Sequence, residues 1–465
     1  MSPVSRGRKP KKKSGKGKAR KTSGRAPLFP ADGASPVRRD PALAEPAFGG
    51  LVFDELAPGE FGESELDEFD DFDDLTSPFG SGEAPEWFDA AIGRILGQAE
   101  TTLVAQGPRQ LEQMVAELVG AELHLALTEE RSGMWFEWLV QELIDSAAFR
   151  IVDDPGPSDP AWAACWRLLY GLGSILPPGP LSVVLETLAR VRKALSAGAI
   201  AGQPQWLTAL PKINATGDVW EMHDAYGTRF GVIAGFRYPG ADDEHMFLFD
   251  VDACGPIVLA GAGVFDDLEA AAAAWRAPLG DAAAGATPSP VDQAERLLCL
   301  AYMDPGDEEL LIGSEPRLVL DNFFRAGRRL DDLAKVLRKK RMPLPATRSL
   351  FHDIDIDPAA EEFTAWYEQR HGLAPDAEAV EAIAEEWLEG ALPGTWQSAS
   401  PHRARYQLTL ISDWLPDPVT QLAKDLLPEW VRWNAERSGL PEHLAERAVA
   451  AATNLGGSEP SPADG

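Results

Sequence analysis

The sequence predicts a predominantly helical α+β protein: two helical units flanking a small antiparallel β-meander module, preceded by disordered N-terminal segments. Three observations predict it. Apolar residues recur every three or four positions from about residue 85 to 210 and again beyond 291, the period of a helix with one buried face. Between about 215 and 262 that period gives way to β-rich runs separated by turn residues. The first 84 residues carry neither pattern and segregate their charge instead.

Taken in order, residues 1–39 form a basic tail with 13 Lys/Arg against the single acid Asp32, a local charge of +12. The whole chain has a formal charge of −30, so the remaining residues carry −42. Residues 40–84 reverse the sign. From Asp40 to Gly93 there are 16 acidic residues and no Lys or Arg, with Leu66, Phe69, Phe72 and Leu75 interleaved among carboxylates. Such a segment cannot bury enough apolar surface to offset its conformational entropy, so both segments are expected to be disordered. Phe69 and Phe72 would then serve a protein partner through residues 60–75, on a helix formed against it.

Residues 85–210 read as a helical domain. Trp87, Phe88, Ile92, Ile95 and Leu96 set the first helix, and helices follow over about 110–128, 134–148 and 182–197. Asp159-Pro160 opens another as N-cap and first-turn proline. Residues 211–278 form the meander module. YPGADDE is a hairpin connection, and Asp266–Glu269 has the form of a capping box before a closing helix. Residues 279–290 read as a linker. A helical C-terminal domain spans 291–455, with Asp357-Pro358 and Asp417-Pro418 as helix starts and Leu422, Leu426, Trp430 and Trp433 as one apolar stripe. Residues 456–465 read as a disordered tail.

At 465 residues the expectation is about three domains. The 45% hydrophobic and 25% charged content excludes collagenous and wholly disordered chains. No window approaches 18 uninterrupted apolar residues, so no membrane insertion is expected. The basic N-terminus has no apolar stretch behind it and does not read as a secretory signal. Cys165, Cys254 and Cys299 lack metal spacing and read as buried thiols in a reducing, cytoplasmic setting. The Ala-, Gly-, Pro- and Arg-heavy composition suggests a bacterium.

The leading functional expectation is a non-enzymatic binding or regulatory protein whose tail contacts DNA or RNA. The tail residues Arg6, Arg8, Lys9, Lys11, Lys12, Lys13, Lys16, Lys18, Arg20 and Lys21, spaced by Gly and Ser, suit a phosphate backbone through counterion release. Arg6-Gly7-Arg8 resembles the Arg-Gly-Arg core of an AT-hook, with Lys9 standing where that motif has Pro. The alternatives are an adaptor acting through the acidic–aromatic segment and an enzyme, hydrolase-like or metal-assisted, built on the meander.

For the enzyme, His223, His245, Asp250 and Asp252 are the catalytic candidates, because a His/Asp cluster can perform acid/base or metal chemistry. Alternation puts Asp250 and Asp252 on one sheet face, expected to be solvated. Asp353 and Asp355 are weaker metal candidates, failing an EF-hand pattern because Pro358 and Thr364 stand where Gly and Glu are needed. The basic concentration Arg325, Arg328, Arg329, Lys335, Arg338, Lys339, Lys340 and Arg341 reads as a solvated helix end. Gly261 and Gly263 read as a turn after a strand, without the third glycine of a dinucleotide fingerprint. No phosphate loop, nucleophile elbow or HExxH motif is present, and no cofactor is expected.

Overall fold

Apolar spacing decides the first helices. α1 (Trp87–Gln98) buries Phe88, Ala91, Ile92, Ile95 and Leu96, all on one face. α2 (Pro108–Thr128), α3 (Phe136–Asp153), α4 (Pro160–Ile175) and α5 (Pro178–Ala194) follow. Gly171 of α4 is a contact residue for α2: a Cβ there would lie 2.4 Å from Val115. The computed structural model describes residues 87–128, 136–153, 160–195, 200, 202–240, 244–255, 258–291, 320–339, 355–388, 395–414 and 418–453. The tail residues 1–39, Phe69, Phe72 and Asp353 lie outside the described residues, as do Cys299, Lys340, Arg341 and residues 456–465.

The meander is realised as β1 (Asn214–His223), β2 (Arg229–Arg237), β3 (Glu244–Asp252) and β4 (Val258–Phe265), each antiparallel to the last. α6 (Leu268–Leu279) closes it. Its N-cap is Asp267, whose side chain accepts from the Ala270 N–H at 2.8 Å, one residue later than the expected capping box begins. The segment expected as a linker joins the sheet: Ser289 and Pro290 pair with Glu221 and Trp220 at the outer edge of β1. Gly261 and Gly263 sit inside β4, opposite Asp250 and Leu248, and form no turn.

Each sheet face has its own partner. Val232, Ala234 and Phe236 of β2 and Phe247, Phe249 and Val251 of β3 face the core of α1–α5. Met222, Ile233 and Leu248 face Ala271, Ala272 and Trp275 of α6. Gly231 makes the second arrangement possible, because a Cβ there would lie 2.7 Å from Met222 and 3.0 Å from the Trp275 ring.

α7 (Phe323–Lys339) carries the basic concentration. Although it falls among the residues expected to form the C-terminal domain, Phe323, Phe324, Leu333 and Leu337 pack into the first core. A separate core joins α8 (Asp357–His371), α9 (Ala377–Leu388), α10 (Pro401–Trp414), α11 (Val419–Ser438) and α12 (Glu442–Ala451), with Tyr226 and Ala282 from the meander at its margin. Two local expectations change here. Asp357 lies within α8 and its N–H is accepted by Asp355 Oδ1 at 3.3 Å, so Asp357 is not the cap. Leu422 is exposed, while Leu426, Trp430 and Trp433 are buried. Among the described residues no helix is long and apolar enough to cross a membrane.

Candidate functional site

The antiparallel register separates the two histidines of the meander. His223 pairs with Phe230 and His245 with Phe236, so they stand at opposite ends of β2, six residues or roughly 20 Å apart. His223 is half-exposed, with its Nε2 in contact with the buried Glu221 carboxylate. His245 is buried and lies against the rings of Tyr238 and Phe236. Burial, reinforced by the positive charge of Arg329, pushes its pKa down to about 4, so it is neutral at physiological pH. The two do not form one site.

His245 borders a buried ionic network that also takes up three of the eight cations of the basic concentration. Arg325, Arg328 and Arg329 point inward and are almost wholly buried, so they do not make a solvated helix end. Arg329 donates to both oxygens of Glu112 at 2.6 Å, and the Tyr238 hydroxyl donates to Glu112 Oε2 at 2.6 Å. Arg328 is taken up by Asp332 at 2.8 Å and by the Pro211 carbonyl at 3.3 Å. Burial works against the Glu112 anion, but Arg329 and Arg325 outweigh it and hold the carboxyl at about 2. This network ties α2 and α7 to Tyr238 at the end of β2, and the buried His245 Nε2 beside it has no hydrogen-bond partner among the described residues.

Asp250 and Asp252 share one sheet face, as alternation requires, but that face is covered by α6 and is not solvated. Arg229, opposite Asp252 on β2, donates to Asp250 through Nε at 2.6 Å and through a terminal nitrogen at 2.8 Å. Trp275 Nε1 donates to Asp250 Oδ1 at 3.0 Å. Asp250 thereby accepts three hydrogen bonds. Asp252 receives Arg229 only at 3.3 Å and is turned toward the loop that follows β3.

There the chain assembles a group that sequence reading does not gather. Asp252 Oδ1 accepts from the Cys254 N–H at 2.8 Å, which folds the chain back so that the thiol and carboxylate lie side by side. α10 arrives from the other side. Ser400 accepts from the Arg403 N–H at 3.1 Å, capping the helix and fixing the start of its first turn, and His402 lies in that turn. His402 Nδ1 donates to Asp252 Oδ2 at 2.8 Å. The Cys254 Sγ and Ser400 Oγ are 3.1 Å apart, and Cys254 also hydrogen-bonds His402.

Two glycines permit this approach. Gly227 holds φ at +72° in the β1–β2 turn, and a Cβ there would lie 3.2 Å from Ser398. A Cβ on Gly255 would lie 2.4 Å from the Tyr406 ring, one helical turn beyond His402. The buried Arg403 guanidinium lies over the Trp387 ring at 4.4 Å and donates to the Trp387 and Thr395 carbonyls, fixing the loop before α10.

Electrostatics pair the charges of the group, with His402 at its partly exposed side. Burial opposes the His402 imidazolium, yet the Asp252 carboxylate raises its pKa to about 11, so the ring is protonated at neutral pH. Burial pushes the Cys254 thiol up, and the Asp252 charge adds to that. The order Asp–His–Cys is that of a nucleophilic triad, but a buried thiol held in its protonated form is not an activated nucleophile. Asp355 stands apart, exposed at the start of α8. Among the described residues, Asp252, Cys254 and His402 are the one set whose ligand-type atoms all lie within 4.8 Å of one another.

Cys254 and His402 are 148 positions apart, and neither belongs to a motif. The available signals are local: a Cys two residues after a strand carboxylate, and Ser-x-His at a helix start. No family model matches the chain, and no match is found among curated proteins or solved structures.

Proposed function

We propose that this is a non-enzymatic binding or regulatory protein whose Lys/Arg-rich residues 1–39 contact DNA or RNA, and which works in a reducing cytoplasm. The observation that carries this is the inward orientation of Arg325, Arg328 and Arg329, with Glu112 and Asp332 as their partners. Cations spent on internal carboxylates cannot meet phosphates. A body of net charge −42 repels a polyanion, whereas the first 39 residues carry a local charge of +12, which supports them as the source of attraction. The separation of His223 from His245 also removes the arrangement on which the meander enzyme depended.

The test is a salt series of mobility shifts or fluorescence anisotropy on a labelled duplex and a labelled single strand. Neutralising on the order of six phosphates gives a slope of log affinity against log salt of about −5. Deleting residues 1–39 abolishes binding, and replacing Lys11, Lys12 and Lys13 with Gln weakens it. Removing residues 40–84 tightens binding by taking away a competing anion. Equal binding without the tail, or no shift at about 50 mM salt, refutes the proposal.

A further inference from the structure

We propose that Asp252, Cys254 and His402 bind one divalent cation of the zinc class, each giving one ligand atom where β3 meets the N-terminus of α10. This is independent of the nucleic-acid reading. Ligand type comes first: a thiolate, an imidazole and a carboxylate form a mixed soft and borderline set that suits Zn²⁺ and its analogue Co²⁺ over Mg²⁺ or Ca²⁺.

Spacing comes second. Zinc bond lengths of about 2.0–2.3 Å at tetrahedral angles put ligand atoms about 3.3–3.7 Å apart. The three atoms lie within 4.8 Å of one another, and His402 Nδ1 and Asp252 Oδ2 are 2.8 Å apart with a proton between them. Replacing that proton by a metal ion widens one contact and draws the sulfur in, by shifts of under about 1.5 Å.

The surroundings favour the same occupant. Arg229 gives its two short bonds to Asp250, which also accepts from Trp275, and reaches Asp252 Oδ2 only at 3.3 Å, so the Asp252 carboxylate is held mainly by the groups on its outer side. The His402 side chain keeps 34% of its surface exposed, which leaves a route from solvent, and water is the proposed fourth ligand. Cys254 and Asp252 are buried behind it. The exchange balances: the incoming dication forms bonds to nitrogen, sulfur and oxygen, and the imidazolium proton of His402 and the thiol proton of Cys254 leave to solvent. Two positive charges enter and two leave, so the net charge of the group is unchanged. Ser400, 3.1 Å from the sulfur, then donates its hydroxyl to the thiolate as an outer-shell partner.

The full-length protein, stripped with a chelator and reduced, is titrated with Co²⁺ and followed by absorption, with Zn²⁺ as competitor. One equivalent is taken up with a sulfur-to-cobalt charge-transfer band and tetrahedral d–d bands, and Zn²⁺ bleaches both. Cys254→Ser removes the charge-transfer band and His402→Ala removes stoichiometric uptake. Cys165→Ser and Cys299→Ser leave both signals intact, and Ser400→Ala weakens affinity on the order of tenfold. Circular dichroism checks that each variant is folded. If His402→Ala does not fold, His402→Gln replaces it, and cobalt-edge X-ray absorption of the wild type must show one sulfur ligand. No uptake, uptake without a sulfur band, or a band surviving Cys254→Ser overturns the proposal.

Discussion

Replacing Glu112 with Gln perturbs the structure at its most concentrated buried charge. The substitution keeps shape and removes one negative charge from a position that is 1% exposed. Arg329, fully buried, then loses the anion it contacts at 2.6 Å, and Arg325 loses its ion-pair partner at 3.5 Å. A carboxyl held at about 2 instead of 4.5 is favoured as the anion by about 3 kcal/mol, and breaking a buried pair costs about 3–5 kcal/mol. The two routes agree, so a loss of about 3–5 kcal/mol is expected at pH 7. Urea unfolding followed by tryptophan fluorescence measures it as a fall in midpoint at unchanged slope. The folded-state pKa is depressed, so the contribution is complete above about 4.5 and disappears as pH falls toward 2. The wild type and Glu112→Gln therefore converge over that window. A loss under about 1 kcal/mol at pH 7, or a difference that does not change with pH, refutes the assignment of Glu112 as the anion of this core.

Two further substitutions probe other parts of the fold. His245 is held neutral down to about 4 while the unfolded chain takes its proton near 6.5, so the wild type loses stability as pH falls between those values. His245→Phe keeps the ring stack on Tyr238 and flattens that part of the pH–stability curve; an unchanged curve would mean another group is responsible. Gly255→Ala drives a methyl group against Tyr406, costing about 1–3 kcal/mol and shifting the first turn of α10. Thermal unfolding reads the cost, and cobalt uptake should weaken with it; an unaffected protein would mean that the loop and helix do not need their close approach.

The legible parts of this fold are those with a repeating cause. Phe88, Ile92, Ile95 and Leu96 announce α1 by spacing alone, and Gly240 with φ at +79° ends β2 where the turn residues require. Alternation also places Asp250 and Asp252 on the same face. Alternation does not say what covers that face. The cover is set by Gly231, whose missing side chain lets Trp275 lie against β2 and reach Asp250. The arginines of α7 mislead for a related reason. Charge density in sequence reads as solvent exposure, yet one Glu beside Leu111 on the apolar face of α2 supplies an internal counterion for Arg329. That signal was present in α2, and it becomes meaningful only once α2 and α7 are known to touch.

The same logic explains why the group around His402 escapes sequence reading. A catalytic or metal motif is legible when one short segment supplies several of its groups, because backbone geometry then fixes their separation. Here one segment supplies Asp252 and Cys254, with the Cys254 N–H bonded to Asp252 Oδ1, and the third group comes from a helix in a different core. The meeting depends on small residues and caps: Gly227 and Gly255 let the loops close in, and Ser400 starts α10. Arg403 then anchors the preceding loop through carbonyls, so His402 is presented by a rigid turn. A neutral ion pair would not need such a cradle, since Arg229 already balances Asp250 at the same sheet face. Placing an imidazole and a thiol beside Asp252 gathers three ligand-type atoms within 4.8 Å of one another at the one partly exposed corner of the group. That is the arrangement a dication of the zinc class occupies by displacing protons from its ligands.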